Sequence, residues 1–108
     1  MATIEDFRKL EFKIAKIVDV QDHPNADKLY VVKVKLSDEE ERTVVAGIKP
    51  SYTDKSLLIG RQVVLVTNLA PAVLRGVESN GMILAASDES GISVVSPDRE
   101  LKLGSIVK

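Results

Sequence analysis

Two runs of polar and turn-forming residues carry most of the side chains in this 108-residue chain that are suited to ligand chemistry. The first is His23-Pro24-Asn25-Ala26-Asp27-Lys28-Leu29, and the second is Asn68-Leu69-Ala70-Pro71-Ala72-Val73-Leu74-Arg75-Gly76, followed by Ser79 and Met82. Their amide, lysine and arginine groups are suited to hydrogen bonding and charge contact. Each run lies between apolar segments with strand character, which predicts two loops on a β scaffold. Loops placed in this way commonly form binding sites.

The inventory of reactive side chains argues against an enzyme. His23 is the only histidine, the chain has no cysteine, and neither a Gly-rich phosphate loop nor a nucleophile elbow is present. Because His23 precedes a proline in a turn, we expect it to shape its loop rather than act as a base or a metal ligand. The sequence therefore predicts a non-catalytic protein with no metal and no cofactor.

Length and composition predict a single domain over residues 1–108 in the cytoplasm. The length is near the commonest domain size, and the lack of cysteine suits a reducing compartment. No segment has the length of a membrane span or the pattern of a secretion signal, so no membrane partner is expected. Because the chain begins at Met1, we expect a complete protein rather than a domain detached from a larger one.

The charge is unevenly distributed, although the net charge is only −1. Residues 28–75 contain eight basic and five acidic side chains, and four of those acids form the cluster at 38–41. Residues 1–27 and 76–108 each carry an excess of two acidic residues. The middle of the chain can therefore present a basic face, whereas an ordinary mixed surface is the interpretation that charge alone favours.

The spacing of apolar residues predicts five short strands, with a short helix between the third and the fourth. A capped helix is expected first, at residues 3–10, because Ile4, Phe7 and Leu10 repeat at helical spacing after Thr3. The strands are expected at 11–20, 30–36, 43–46, 61–67 and 82–86, and the first of them is expected to be long and curved or bulged. The helix, or a helical turn in its place, is expected at 51–58, and further extended segments are expected at 91–95 and 101–107. This order is that of the OB-fold, an all-β, five-stranded Greek-key barrel, here with an N-terminal helix and a C-terminal extension. Phe7 and Phe12 are expected to be buried.

On this scaffold, the two polar runs join strands one and two and strands four and five, and they rim the same groove. Lys33 points outward from strand two because it alternates with Val32 and Val34. Arg42 begins strand three. Topology and charge therefore predict a polar and basic site around both loops.

These residues resemble the tRNA-binding domains found at the C-terminus of methionyl-tRNA synthetases and as stand-alone structure-specific tRNA-binding proteins. The family pattern has His-Pro-Asn-Ala-Asp-Lys-Leu, here at 23–29, and then Asn-Leu-Lys-Pro-Xaa-Lys-Met-Arg-Gly, which this chain matches at Asn68, Leu69, Pro71, Arg75 and Gly76, with Ser79, Gly81 and Met82 following. The resemblance covers nearly the whole chain. It implies an OB-fold homodimer assembled through the terminal extensions, with tRNA recognised by shape. A catalytic methionyl-tRNA synthetase chain is a further partner that it implies.

Together with side-chain chemistry, the resemblance indicates eight RNA-contacting residues. Lys28 and Arg75 suit phosphate, with an ion pair to Glu78 as the alternative for Arg75. The other members suit ribose, base or phosphate, or else hold their loops or fill the core. The full set is Asn25, Lys28, Lys33, Arg42, Asn68, Arg75, Ser79 and Met82.

One departure from the family pattern opens an alternative function. Ala70 and Val73 stand where the family commonly has lysines, so two phosphate contacts are lost and the loop over residues 69–74 becomes apolar. The alternative hypothesis is a secretion-chaperone-like or scaffold module that binds a protein through this loop. The resemblance also implies that the dimer is formed in part by Ile4, Phe7 and the terminal segment near Ile92, Leu101 and Val107.

Overall fold

The computed structural model describes all 108 residues, and strands dominate it. In chain order the elements are α1 (Ile4–Arg8), β1 (Phe12–Asp22), β2 (Tyr30–Lys35), β3 (Glu41–Ala46), β4 (Gln62–Val66), β5 (Ala72–Leu74), β6 (Val77–Ser79), β7 (Met82–Ile83), β8 (Ala85–Asp88), β9 (Gly91–Val94) and β10 (Ile106–Val107). Two 3₁₀ turns, Lys49–Ser51 and Lys55–Leu57, lie between β3 and β4. No helix has the length and hydrophobicity needed to cross a bilayer.

The barrel is built around β1, which pairs antiparallel with several other strands. Its first half pairs with β4, its second half pairs with β2, and β10 pairs with Phe12 and Lys13. The register with β2 shifts between Ile17 and Asp19. A bulge of this kind bends a strand and increases its twist, so β1 can serve both sides of one barrel. This confirms the prediction of a bulged first strand.

The barrel closes where β3 approaches the chain that follows β6. The main sheet has the order β3-β2-β1-β4-β7, which leaves β3 and β7 at its two edges. The Asn80 amide donates to the Thr43 carbonyl, and the Val45 amide donates to Ser79 Oγ, both at 2.9 Å. These bonds join the two edges at one end. The architecture is the all-β, OB-like barrel that the sequence predicts.

The core lies inside this barrel and consists largely of aliphatic side chains. Its buried members are Ala15, Ile17, Val20, Tyr30, Val32, Val34, Leu36, Val44, Ala46, Ile48, Tyr52, Leu58, Val63, Leu65, Ile83 and Val94. The two tyrosines connect parts of the fold: Tyr30 Oη donates to the Tyr52 carbonyl at 2.6 Å, and Tyr52 Oη accepts from the Val94 amide at 3.0 Å. The 3₁₀ segment and β9 are thereby fixed to the barrel.

The segment between β3 and β4 was predicted as a short helix or a helical turn, and it forms two 3₁₀ turns. Pro50 lies in the first turn, Asp54 caps the second and Leu58 enters the core. The prediction for Phe7 was wrong. Phe7 is 42% exposed and stacks on Phe12 with ring centroids 5.3 Å apart, because α1 lies outside the barrel with no buried residue.

Candidate nucleic-acid interface

The predicted second loop contains a β-hairpin that brings Arg75 toward the first loop. Strands β5 and β6 are joined by the two residues Arg75 and Gly76, whose φ angles are 54° and 91°. Both angles are left-handed, as the type I′ turn of a two-residue hairpin requires. Gly76 adopts this backbone freely, but Arg75 is the only non-glycine residue of the chain with a positive φ. An arginine is therefore held where asparagine or glycine would be more relaxed.

His23 fastens the tip of this hairpin to the first loop. His23 is buried, with 6% of the residue exposed. Its Nδ1 accepts from the Asn25 amide at 2.9 Å, and its Nε2 lies 2.9 Å from the Leu74 carbonyl. Because Nδ1 accepts, the neutral ring carries its proton on Nε2 and donates it to Leu74. Both ring nitrogens are thus occupied by backbone. This confirms that His23 shapes its loop.

A second pair of bonds joins the two loops at their tips. Asn25 Nδ2 donates to the Arg75 carbonyl at 3.3 Å, and Arg75 Nη2 donates to the Asn25 carbonyl at 3.1 Å. The alternative ion pair between Arg75 and Glu78 is absent, and Lys28 is exposed with no ion pair. A depression of about 450 Å³ is lined by Asn25, Ala26, Asp27, Lys28, Leu29 and Arg75. Its cationic groups are available to an anionic ligand such as a phosphate.

The two basic residues predicted on strands differ in how free they are. Lys33 is exposed on β2, opposite Asp19 and Thr43 in the ladder, and makes no ion pair. The Arg42 guanidinium donates to the Thr67 carbonyl and pairs with Glu40 at 2.9 Å, with only 20% of its side chain exposed. Arg42 therefore joins β3 to the end of β4 in this structure.

Two other residues predicted to contact RNA, Ser79 and Asn68, use their side chains for hydrogen bonds to backbone groups. Ser79 is 5% exposed, and its hydroxyl accepts from the Val45 amide and donates to the Gly81 carbonyl at 3.1 Å. Asn68 Oδ1 accepts from the Glu11 amide at 2.7 Å, while its Nδ2 donates to the Lys9 carbonyl at 2.8 Å. Both side chains thus have a structural role in closing the barrel and joining α1 to β1.

Met82 lies in a different place from the loop residues. It is 47% exposed and borders an apolar groove of about 430 Å³ between β3 and β7, whose other lining residues include Val45, Ala46, Ile48, Leu84 and Ile92. The structure therefore gathers Asn25, Lys28 and Arg75 around one depression, and the other five predicted residues do not line it.

A cationic cluster at the base of the first loop was not predicted from the sequence. Lys49 Nζ and Lys55 Nζ lie 3.2 and 3.3 Å from the same oxygen, Asp22 Oδ1, and both lie about 6 Å from the centre of the Tyr30 ring. Hydrogen bonds from Lys49 and then Lys55 hold the pKa of Asp22 below its ordinary value. Only the excess of basic residues over 28–75 hinted at such a cluster, because no short-range spacing links the three residues.

Residues 12–106 match the family model described as "Putative tRNA binding domain". The chain belongs to this family. The match confirms the resemblance drawn from the two loops, and it spans the barrel together with both polar runs.

Relatives and solved structures agree with this assignment. The chain is 56% identical to a methionine–tRNA ligase of Pyrococcus furiosus over 98% of its length but only 14% of the relative's, so it spans about one seventh of the curated relatives that it matches. A crystal structure of a MetRS-related protein from Pyrococcus horikoshii matches with a TM-score of 0.88 at 28% identity, covering 100% of this chain and 98% of that one. The CsaA chaperone protein of Picrophilus torridus matches with a TM-score of 0.91 at 25% identity, covering 100% of each chain.

Proposed function

We propose that the chain binds tRNA in the cytoplasm through the surface that Asn25, Lys28 and Arg75 form around the 23–29 loop, with Lys33 extending it. The observation that carries this proposal is the junction made by His23, which holds the hairpin tip against the first loop. The junction places two cationic side chains at one depression without a carboxylate partner for either. Family membership supports tRNA as the ligand.

The chemistry of this surface favours recognition of the RNA backbone and its shape. Proteins that read single-stranded bases usually stack them on exposed aromatic side chains. Tyr30 is 1% exposed and Tyr52 is 9% exposed, so neither ring is accessible for a base to stack on. Lysine and arginine contacts to phosphate carry most of the sequence-independent affinity for nucleic acid. A folded tRNA presents its phosphates in a fixed arrangement that such contacts can match.

The proposed mode of action is association without bond chemistry. The single histidine uses both ring nitrogens on backbone atoms, which leaves it no capacity as a base while the loops are joined. Relatives named methionine–tRNA ligase are about seven times longer than this chain. We therefore propose a tRNA-binding protein, or an auxiliary subunit that delivers tRNA to a methionyl-tRNA synthetase active site on another chain.

A homodimer is part of this proposal, and the apolar face of α1 supports it. Ile4 is 55% exposed, while Phe7 and Leu10 are each 42% exposed, and Ile106 of β10 is 59% exposed. A face of this kind, presented by both terminal segments, is suited to a second copy of the chain. Two binding surfaces on one rigid tRNA would raise the apparent affinity through effective concentration.

The test is a titration of labelled bulk tRNA with wild-type protein and with the double variant Lys28→Ala/Arg75→Ala, at about 50 and 200 mM salt. We expect wild-type affinity to fall roughly 10- to 100-fold between the two salt concentrations, because phosphate contacts release counterions. The double variant should bind weakly at both. The matched control is Arg99→Ala/Lys102→Ala, which removes the same charge from an exposed segment and should keep wild-type affinity. No tRNA binding at low salt would refute the proposal.

An apolar protein partner is the second candidate, and a specific observation favours it. Val73 is 68% exposed and Leu74 is 41% exposed on the β5–β6 hairpin. The similarity to a protein named as the CsaA chaperone supports the same idea. Binding of this kind should persist at high salt and fail when Val73→Glu places a charge on the hairpin. If tRNA binding instead survives Val73→Glu and weakens in salt, the apolar surface is not the primary site.

A further inference from the structure

The ion pairs of the chain are balanced everywhere except at Asp22. Three pairs join one cation to one carboxylate: Lys9 with Asp6, Lys13 with Glu11, and Arg42 with Glu40. Asp22 alone serves two cations, Lys49 and Lys55, through the single oxygen Oδ1. This cluster is therefore a fixed local surplus of positive charge on a protein with a net charge of −1.

The two ammonium groups of this cluster remain open to a ligand. The side chains of Lys49 and Lys55 are 32% and 38% exposed. An ammonium group has three hydrogen-bond donors, and the carboxylate occupies only one side of each. Because both ammonium groups lie within 3.3 Å of one oxygen, they are close enough to contact the same phosphate.

The surroundings of the cluster reduce the mobility that normally opposes binding by lysine. Free lysine side chains lose much rotamer entropy when a ligand orders them. Here Asp22 Oδ1 and the face of Tyr30 already hold both ammonium groups, so less freedom remains to be lost. Exposed salt bridges contribute little to stability, so folding alone does not explain two lysines on one carboxylate.

The cluster also lies beside the proposed tRNA surface. Asp22 immediately precedes His23, and it pairs with Tyr30 across the base of the 23–29 loop. Lys28 is two residues before Tyr30, so the Cα atoms of these two residues are at most about 7 Å apart. A nucleic-acid backbone that contacts Lys28 can therefore continue onto Lys49 and Lys55.

We propose that Lys49 and Lys55, held in place by Asp22, form a second phosphate-binding site that continues the path of the tRNA backbone beyond the 23–29 loop. The inference rests on the proposed function and names two further binding residues for it. Asp22 is a positioning residue whose own charge opposes the ligand. Asparagine at this position keeps an oxygen that accepts from the lysines and removes the opposing charge, so Asp22→Asn should lower stability and raise affinity.

The test compares tRNA affinity and its salt dependence in Lys49→Gln/Lys55→Gln, Asp22→Asn and the matched control Lys102→Gln/Lys108→Gln. We expect the first variant to bind roughly tenfold more weakly near 0.1 M salt, with the slope of log affinity against log salt reduced by about 1.4 to 1.8. Asp22→Asn should bind more tightly than wild type while its melting temperature falls slightly. The control should keep the wild-type slope.

The contradicting results separate this proposal from the proposed function. If wild-type protein binds tRNA, Lys28→Ala/Arg75→Ala does not, and Lys49→Gln/Lys55→Gln matches the control, the second site is overturned and the first one stands. Wild-type protein that binds no tRNA at low salt would overturn both. Thermal melting of each variant shows that the compared proteins are folded.

Discussion

At the scale of single residues, the polar side chains of the candidate site fall into two groups. One group makes hydrogen bonds to backbone atoms, and the other is exposed and makes no ion pair. His23, Asn68 and Ser79 use their polar atoms on backbone groups far along the chain. Lys28 and Lys33 make no ion pair and remain exposed. The first group fixes the loops and closes the barrel. The second group is what a ligand can reach, so the binding surface depends on residues that do not touch the ligand.

His23→Ala tests this dependence. The change removes both bonds of a nearly buried ring and leaves the Leu74 carbonyl without its partner, so the free energy of unfolding should fall by about 1 to 3 kcal/mol. The affinity for tRNA should fall as well, because Arg75 loses its fixed position beside Lys28. Urea denaturation and tRNA titration measure the two effects. Asp27→Ala, at an exposed neighbour in the same loop, should leave stability near the wild-type value. If the stability of His23→Ala equals that of the wild type, the junction made by His23 does not contribute to the fold.

At the scale of elements, the β5–β6 hairpin combines local strain with placement of a cation. A left-handed backbone is unfavourable for arginine and much easier for asparagine. Arg75→Asn should therefore stabilise the fold by about 0.5 to 1 kcal/mol and weaken tRNA binding at the same time. Chemical denaturation and tRNA titration of the same variant check the opposite signs. Arg99→Asn is the control for the lost charge. A destabilised Arg75→Asn with unchanged affinity would mean that Arg75 is kept for structure.

The sequence predicted those elements whose signals are local. The alternation of Val32, Lys33 and Val34 indicated β2, and the polar runs located both loops. The hairpin was missed because its turn has Arg75 before Gly76, where asparagine or aspartate is the usual signal. Phe7 was placed in the core because helical spacing shows that a face is apolar but not what covers it.

The site was predicted in part, for a related reason. The two loops and their cations follow from residue types and topology. The His23 to Leu74 bond, the Arg42 to Thr67 bond and the cluster of Asp22 with Lys49 join residues that are 25 to 51 positions apart or lie on different elements. Such pairings depend on how the barrel closes, and no spacing along the chain encodes them.

At the scale of the whole molecule, several carboxylates make stability depend on pH. Hydrogen bonds lower the pKa of five carboxylates. The main donor is the Thr3 backbone for Asp6, the Thr67 side chain for Glu11 and the Lys49 ammonium group for Asp22. It is the Ser56 hydroxyl for Asp54 and the Ser90 hydroxyl for Asp88. A carboxylate whose pKa in the folded state lies below its unfolded value of about 4 stabilises the fold fully at pH values above the unfolded pKa. This stabilisation is lost as the pH falls through the folded-state pKa. The contribution of these carboxylates to the unfolding free energy, measured in urea, should decline as the pH falls below about 4. A rise on acidification would contradict these shifts.

The oligomeric state is the second whole-molecule property that the structure makes testable. Sedimentation of the wild-type chain at micromolar concentration should give twice the chain mass, because the apolar face of α1 is exposed in the monomer. Phe7→Glu places a charge on that face and should yield a monomer with weaker tRNA binding. Leu57→Glu adds the same charge at an apolar residue outside that face, where Leu57 is 55% exposed, and this variant should remain dimeric. A wild-type protein that sediments as a monomer would refute the dimer.

The most direct test of the central claim is to map tRNA contacts on the isotopically labelled protein by amide chemical-shift changes. Binding at the proposed surface predicts that amides of residues 23–29 and 74–76 shift or broaden at the lowest tRNA additions. Amides of β8 and β9, on a separate hairpin, should change least. Early changes confined to α1 or to the β8–β9 hairpin, with the 23–29 loop unaffected, would contradict tRNA binding at the proposed surface.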